Sequence, residues 1–156
     1  MVIFLGLLVM LVVAMWSYKY AWWKSAVDWK RPRVLMYHMV REHIKGAKFN
    51  KLRVTPAEFE KQVAWMKADG FHFVTMQELQ ANWGKHPEKT VAITFDDGYL
   101  DNLEHAFPIL EKYQAKATIY VVVDRHDRDW STYKKAHHNS GELAREPKLS
   151  DVQVQQ

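Results

Sequence analysis

Two adjacent carboxylates, Asp96 and Asp97, end an apolar run and precede a glycine in the stretch Thr94-Phe95-Asp96-Asp97-Gly98-Tyr99. Neighbouring carboxylates resist ionising together unless a cation is near. A divalent metal meets that need: one carboxylate binds it while the other takes a proton from a metal-bound water. Gly98 lets the chain turn sharply and lets a ligand approach the backbone. This is chemistry suited to metal-assisted hydrolysis. The plainer reading is a strand ending in a turn, with the aspartates solvated.

Carboxylates act only where elements hold them. Val91 to Phe95 is β-branched and apolar, so it predicts a buried strand with Asp96 at its C-terminal end, where parallel α/β sheets bind ligands. Arg33 to Val40, Phe71 to Val74 and Ala117 to Val123 predict three further strands. Thr55-Pro56-Ala57-Glu58 and Thr75-Met76-Gln77-Glu78 have capping-box spacing, so helices open after each threonine. Phe59, Val63 and Met66 recur at helical spacing, and Gly70 marks the stop. Asp101 is expected to cap a helix reaching about Gln114, bent at Pro108. Strand and helix alternate, which implies a parallel sheet with both faces covered. Residues 124–147 are polar and aperiodic and read as a long loop. Ser150-Asp151-Val152-Gln153 opens one more helix, and only six residues follow Ser150, so the domain is expected to be incomplete at its C-terminus.

Composition removes several function classes. The chain has 156 residues and no cysteine, which excludes disulfides, thiol nucleophiles and cysteine-ligated zinc. Residues 19–53 hold ten Lys/Arg against two acids, whereas residues 54–156 hold twelve against sixteen. The basic excess follows a charge-free run, residues 1–18. Trp16, Tyr18, Tyr20, Trp22 and Trp23 come next, with Lys19 and Lys24 between them. About 20 apolar residues span a bilayer, and amphipathic rings gather at headgroup level. Residues 1–23 are therefore expected to form a transmembrane helix, as an anchor or uncleaved signal, and 24–32 a basic juxtamembrane linker. A signal peptide cleaved near Val12-Val13-Ala14 and a buried core helix are the competing readings. Lysines and arginines after the span would favour the cytoplasm, so charge leaves orientation open. Juxtamembrane placement suits anionic headgroups, so nucleic acid is not an expected partner.

Five segments occur in order: Val34–His38, Thr55–Gln62, Phe73–Leu79, Ile93–Tyr99 and Ala117–Val122. Together they closely resemble the NodB-homology polysaccharide deacetylases. The resemblance covers residues 33–123 and extends over 33–156 as the N-terminal part of a distorted (β/α) barrel. It implies a metal-dependent hydrolase that removes N-acetyl groups from an amino-sugar polysaccharide. It further implies Asp96 as the general base, Asp97 as a ligand of a divalent metal, zinc foremost, and His38, Gly98 and Tyr99 lining the site. A bacterial inner-membrane protein facing the periplasm or cell exterior would fit. The family's metal histidines come as His-Ser/Thr-x-x-His. The eight histidines here, 38, 43, 72, 86, 105, 126, 137 and 138, include no pair four apart. A catalytically inactive deacetylase-like fragment, binding at most a glycan or a protein, is the alternative. A phosphotransferase is a weaker reading, since no glycine-rich phosphate loop is present. Trp83, Trp130 and Tyr133 could stack on sugar rings, although Trp83 is expected to be buried.

Overall fold

Val91, Ile93 and Phe95 alternate with Ala92 and Thr94, and both sets are buried. That double burial makes this strand the centre of the sheet. The structure, a computed structural model, describes residues 2–25, 27–122 and 142–155. Its elements in chain order are α1 (Val2–Tyr20), β1 (Arg33–Tyr37), β2 (Met39–Val40), β3 (Arg53–Val54), α2 (Pro56–Ala68), β4 (His72–Val74), α3 (Met76–Ala81), β5 (Thr90–Phe95), α4 (Phe107–Lys112), β6 (Ala117–Ile119) and α5 (Asp151–Val154). A π-helical turn, Asn102–Ala106, precedes α4.

Every strand pairing is parallel. β1 runs along β5 from Arg33↔Val91 to Tyr37↔Phe95. β4 pairs with the first half of β5, His72↔Thr90 to Val74↔Ala92, and β6 with the second half, Ile93↔Ala117 to Phe95↔Ile119. A strand has two edges, so β4 and β6 share the one that β1 leaves. Phe59, Val63 and Met66 of α2 are buried against Val91, Ile93 and Phe95, together with Phe71, Ala106 and Leu110. The helical period read from the sequence therefore does mark the core.

Local signals explain the helix starts. Thr75 accepts the Glu78 N–H while Glu78 accepts the Thr75 N–H, so both arms of the capping box are present. Ser150 and Gln153 repeat the arrangement. At Thr55 one arm forms: its hydroxyl accepts the Glu58 N–H and donates to the Glu58 carboxylate.

Several expectations need correction. The run 33–40 is not one strand: it breaks at His38, and Met39–Val40 pairs with Arg53–Val54 in a separate two-stranded sheet. β6 ends at Ile119 rather than Val123. Asp101 is buried and caps no helix; its carboxylate accepts the Val40 N–H at 3.2 Å. The helix expected from Asp101 begins as a π turn, and Pro108 falls in the first turn of α4, where its missing N–H is tolerated. One sheet face is partly open, because Val34 and Met36 of β1 are exposed. The described strands form an open parallel sheet. Trp83 is 74% exposed instead of buried. Trp130, Tyr133 and most of the 124–147 loop lie outside the described residues.

α1 is apolar on all sides, and its side chains from Phe4 to Trp16 are exposed. Among the described residues no helix is long and apolar enough to cross a membrane. From Val2 to Tyr18 the charge-free helix rises about 26 Å at 1.5 Å per residue, short of the roughly 30 Å hydrocarbon core. The helix ends at Tyr20, so the transmembrane helix expected over residues 1–23 is not shown.

Candidate active site

The alternation along β5 places Asp96 after Ala92 and Thr94, on the side of the sheet away from the Val91–Ile93–Phe95 core. The ladder runs on for one bond beyond the strand, with the Asp96 N–H donating to the Tyr37 carbonyl at 2.9 Å. His38 follows Val34 and Met36 on β1 by the same alternation. The β1–β5 register therefore brings His38 and Asp96 to one end of the sheet. The His38 carbonyl accepts the Asn102 amide at 2.9 Å.

Beyond Asp96 the backbone reverses through two left-handed residues, Asp97 at φ 69° and Gly98 at φ 60°. Glycine is needed at 98. A Cβ there would lie 3.0 Å from Val121 Cγ1 and 3.3 Å from Val121 Cα. Asp97 adopts a conformation that costs a non-glycine residue of order 1–3 kcal/mol and persists only when its surroundings hold it.

A distant segment does the holding. The Leu149 N–H donates to the Gly98 carbonyl at 2.9 Å, and the Leu100 N–H to the Pro147 carbonyl at 3.0 Å. Lys148 Nζ donates to the Asp97 carbonyl at 2.8 Å and lies 3.3 Å from the centre of the Tyr99 ring. Tyr99 is buried, and its side chain is hydrogen-bonded to that of Asp97. Burial foremost, then the Asp97 and Glu146 charges, push the phenol up to about 12, so at neutral pH it stays a donor to the carboxylate. Lys148 thus holds the backbone of the second aspartate, a contact that sequence spacing could not reveal.

This segment is itself pinned. Arg53, its side chain fully buried, donates to Glu146 at 2.7 Å and to Glu142 at 3.2 Å. Arg41 pairs with Glu146 as well. Glu142 also accepts the Lys48 and Phe49 N–H groups. Neither Arg53 nor Glu146 stands out in the sequence, because each looks like an ordinary surface charge until the other is placed beside it.

Three other histidines hold backbone carbonyls: His43 on Arg53, His86 on Leu79 and His105 on Val40. Catalytic zinc commonly takes three protein ligands. Among the described residues no group of three or more His, Asp or Glu side chains is placed to hold a metal. These residues do not fit a complete metal centre, and Asp97 supplies one ligand at most. What they do assemble is a half-buried carboxylate, Asp96, beside a second one, Asp97, whose side chain Tyr99 holds and whose carbonyl Lys148 holds. An apolar groove of about 630 Å³ runs between α4, β6 and α5, lined by Phe107, Leu110, Ile119 and Leu149 among others, and it shares Val121 and Leu149 with the packing around Gly98.

Comparison with known proteins bears on this turn. Residues 84–144 match the family model for polysaccharide deacetylase. The chain is 42% identical over 105 residues to the YxkH protein of Bacillus subtilis (strain 168), whose name assigns it provisionally to the polysaccharide deacetylases. The match covers 65% of this chain and 35% of that protein. Identity is 33% over 102 residues with the poly-beta-1,6-N-acetyl-D-glucosamine N-deacetylase of Staphylococcus epidermidis, covering 58% of this chain and 35% of the relative. The fold resembles the Streptococcus pyogenes deacetylase PplD, solved in complex with acetate. The TM-score is 0.54 at 33% identity, over 64% of this chain and 44% of that one. The chain therefore spans about a third of the length of these curated relatives.

Proposed function

We propose, for a chain that belongs to the NodB-homology polysaccharide deacetylase family, that its Asp96–Asp97 turn is the base-bearing part of an N-deacetylase site for an amino-sugar polysaccharide. One observation carries this reading: two adjacent carboxylates end the central buried strand of a parallel sheet, and a lysine and a tyrosine brace the second of them. Asp96 accepts the proton of a water that attacks the acetamide carbonyl, and a proton passes to the sugar nitrogen as the carbon–nitrogen bond breaks, leaving acetate and a free amine. Tyr99 and Lys148 keep Asp97 oriented while charge moves. Metal dependence, with Asp97 as a ligand, belongs to this proposal on family grounds. The described residues do not by themselves make a full metal centre. The relatives named as poly-beta-1,6-N-acetyl-D-glucosamine N-deacetylases support that polymer as the substrate to try first.

A chimera tests the reading. Residues 33–156 would replace the matching part of the Staphylococcus epidermidis N-deacetylase. Acetate release from the polymer, lost in Asp96→Asn, is expected. An inactive but folded chimera, with the parent active, refutes the site assignment. A deacetylase-like protein that binds glycan without turnover is the second reading, since among the described residues no three-ligand group is placed to hold a metal. Retention on the polymer by the inactive chain, with no acetate from the chimera, would support it.

The location of the protein belongs to the same proposal. α1 sits in a membrane, its charge-free length completed by the aromatic residues from Trp16 to Trp23, and the remaining domain faces the periplasm or cell exterior of a bacterium. The exposed apolar surface of α1 and the aromatic residues at its end support the membrane part of this placement. Full release of the uncleaved chain by an alkaline carbonate wash would overturn it.

A further inference from the structure

Because every strand is parallel, their N-terminal ends share one side of the domain and Asp96 lies on the other. Three tryptophans lie on elements and turns at the N-terminal side, each with much of its surface exposed. Trp29 is 41% exposed, Trp65 57% and Trp83 74%. Trp29 precedes β1, and its carbonyl accepts the Lys89 N–H at the start of β5. Its ring meets that of Phe71, just before β4, at 5.2 Å between centroids, and the ring of Trp65, in the last turn of α2, meets the same Phe71 ring at 5.6 Å. Trp83 lies in the turn between α3 and β5, with its ring on His86.

Cations surround these rings. Lys30, Arg31, Lys67 and Lys85 are exposed on the same loops and helix end. Arg33 covers the Trp29 ring at 5.0 Å, and Lys89 lies 5.9 Å from the Phe71 ring. Asp28, Asp69 and Glu88 are the acids at this end, and Asp69 is already paired with Lys89. The linker is fastened here as well: the Arg33 guanidinium donates to the Val27, Asp28 and Arg31 carbonyls. Residues 27–33 are therefore part of the domain surface and not a loose tether.

We infer that this tryptophan-bearing, basic end of the domain docks on the headgroup layer of an anionic lipid membrane. Indole rings prefer that layer, and lysines and arginines near it gain from the negative surface potential. A sugar polymer is the less favoured partner, because the face lies across the sheet from Asp96. β5 has six residues, which at about 3.3 Å each hold the carboxylate pair roughly 20 Å above the lipid. The inference deepens the membrane placement of α1 proposed above and rests on it for the tether.

The chain has no cysteine, so single labels can be introduced at will. The full chain carrying Ala68→Cys, at the end of α2, or Val152→Cys, on α5, is labelled with a fluorophore. Each is reconstituted into phosphatidylcholine vesicles, with and without phosphatidylglycerol, that contain a headgroup spin label. Quenching at position 68 is expected to be several-fold that at 152, to need phosphatidylglycerol, and to fall with added salt. Adding Trp65→Ser and Trp83→Ser, both at exposed positions, should bring position 68 down to the level of 152 while the protein still sediments with the vesicles. Equal quenching at both positions in sedimented protein overturns the docking face and leaves the α1 anchor standing. Protein absent from the vesicle pellet overturns both. A position-68 response to N-acetylglucosamine oligomers but not to lipid assigns the face to sugar and also overturns the inference.

Discussion

Arg53→Met should loosen the Asp96–Asp97 turn without touching it. Arg53 has no exposed side-chain surface and lies between Glu142 at 3.2 Å and Glu146 at 2.7 Å. Removing one partner of a buried ion pair costs about 3–5 kcal/mol, because the other charge is left desolvated. Here the lower end applies. Glu146 keeps Arg41, which is 32% exposed, and Glu142 is 25% exposed and can hydrate. The Nε of Arg53 is buried without a hydrogen-bond partner among the described residues, so its loss gives back a little. A cost of about 3 kcal/mol is a large share of the roughly 5–15 kcal/mol that stabilises a domain. If it falls on the docking of residues 142–149, the Leu149 N–H bond to Gly98 opens more often. At tenfold per 1.4 kcal/mol, amide exchange at Leu149 and Leu100 should quicken about 150-fold. Native-state hydrogen exchange by NMR on the full chain in mild detergent reads this directly. Amides of α3, far from the cluster, serve as the internal control. Replacing both buried members, Arg53→Met with Glu146→Leu, should recover part of the loss. Unchanged exchange at Leu149 and Leu100 in folded Arg53→Met would show that the ion cluster does not hold the turn.

Gly98→Ala should destabilise the domain by about 2 kcal/mol, since alanine is strained at positive φ and its Cβ would press on Val121; denaturant titration with no measurable loss would contradict that packing. The Glu142 carboxyl is pushed up by burial but held lower overall by the Lys48 and Phe49 amides and by Arg53, below its ordinary 4.5. A lowered carboxyl contributes stability above pH 4.5 that is lost as pH falls through the folded value. Glu142→Gln should therefore cost most near neutral pH, and the gap in melting temperature should close on acidification; a gap that widens in acid would reverse the sign. Residues 24–156 alone should bind zinc weakly by calorimetry, aggregate readily, and release no acetate from N-acetylglucosamine oligomers. Metal-dependent release lost in Asp96→Asn would show that the short chain carries a full site.

Local physics made much of this fold readable. β5 announced itself as a run of β-branched and apolar residues, and the Thr75 box needed only its own four residues. The 3.6-residue period of Phe59, Val63 and Met66 marked the buried face of α2. Asp101 misled because its type and spacing suit a helix cap, yet the nearby Val40 N–H offered a buried acceptor site that no local rule registers. Trp83 misled in the opposite sense, since a large aromatic is usually covered. The Arg53–Glu146 pair is 93 residues apart in sequence and Lys148 is 51 from Asp97. Such pairs depend on which loops meet, and a single sequence holds no record of that meeting.

The clamp on the acidic turn also orders events in time. A ribosome adds roughly 5–20 residues per second, so the 51 residues from Asp97 to Lys148 take about 3–10 s to appear. During that interval β1, β4 and β5 have been synthesised with their helix α2, whereas the peptide that fixes Asp97 in its left-handed conformation has not been made. The nascent chain thus carries its carboxylate pair on an unbraced turn, and the site is finished from behind. Chains stalled before and after residues 142–149 emerge should differ in protease protection around Gly98, and should not differ in the strands that precede it.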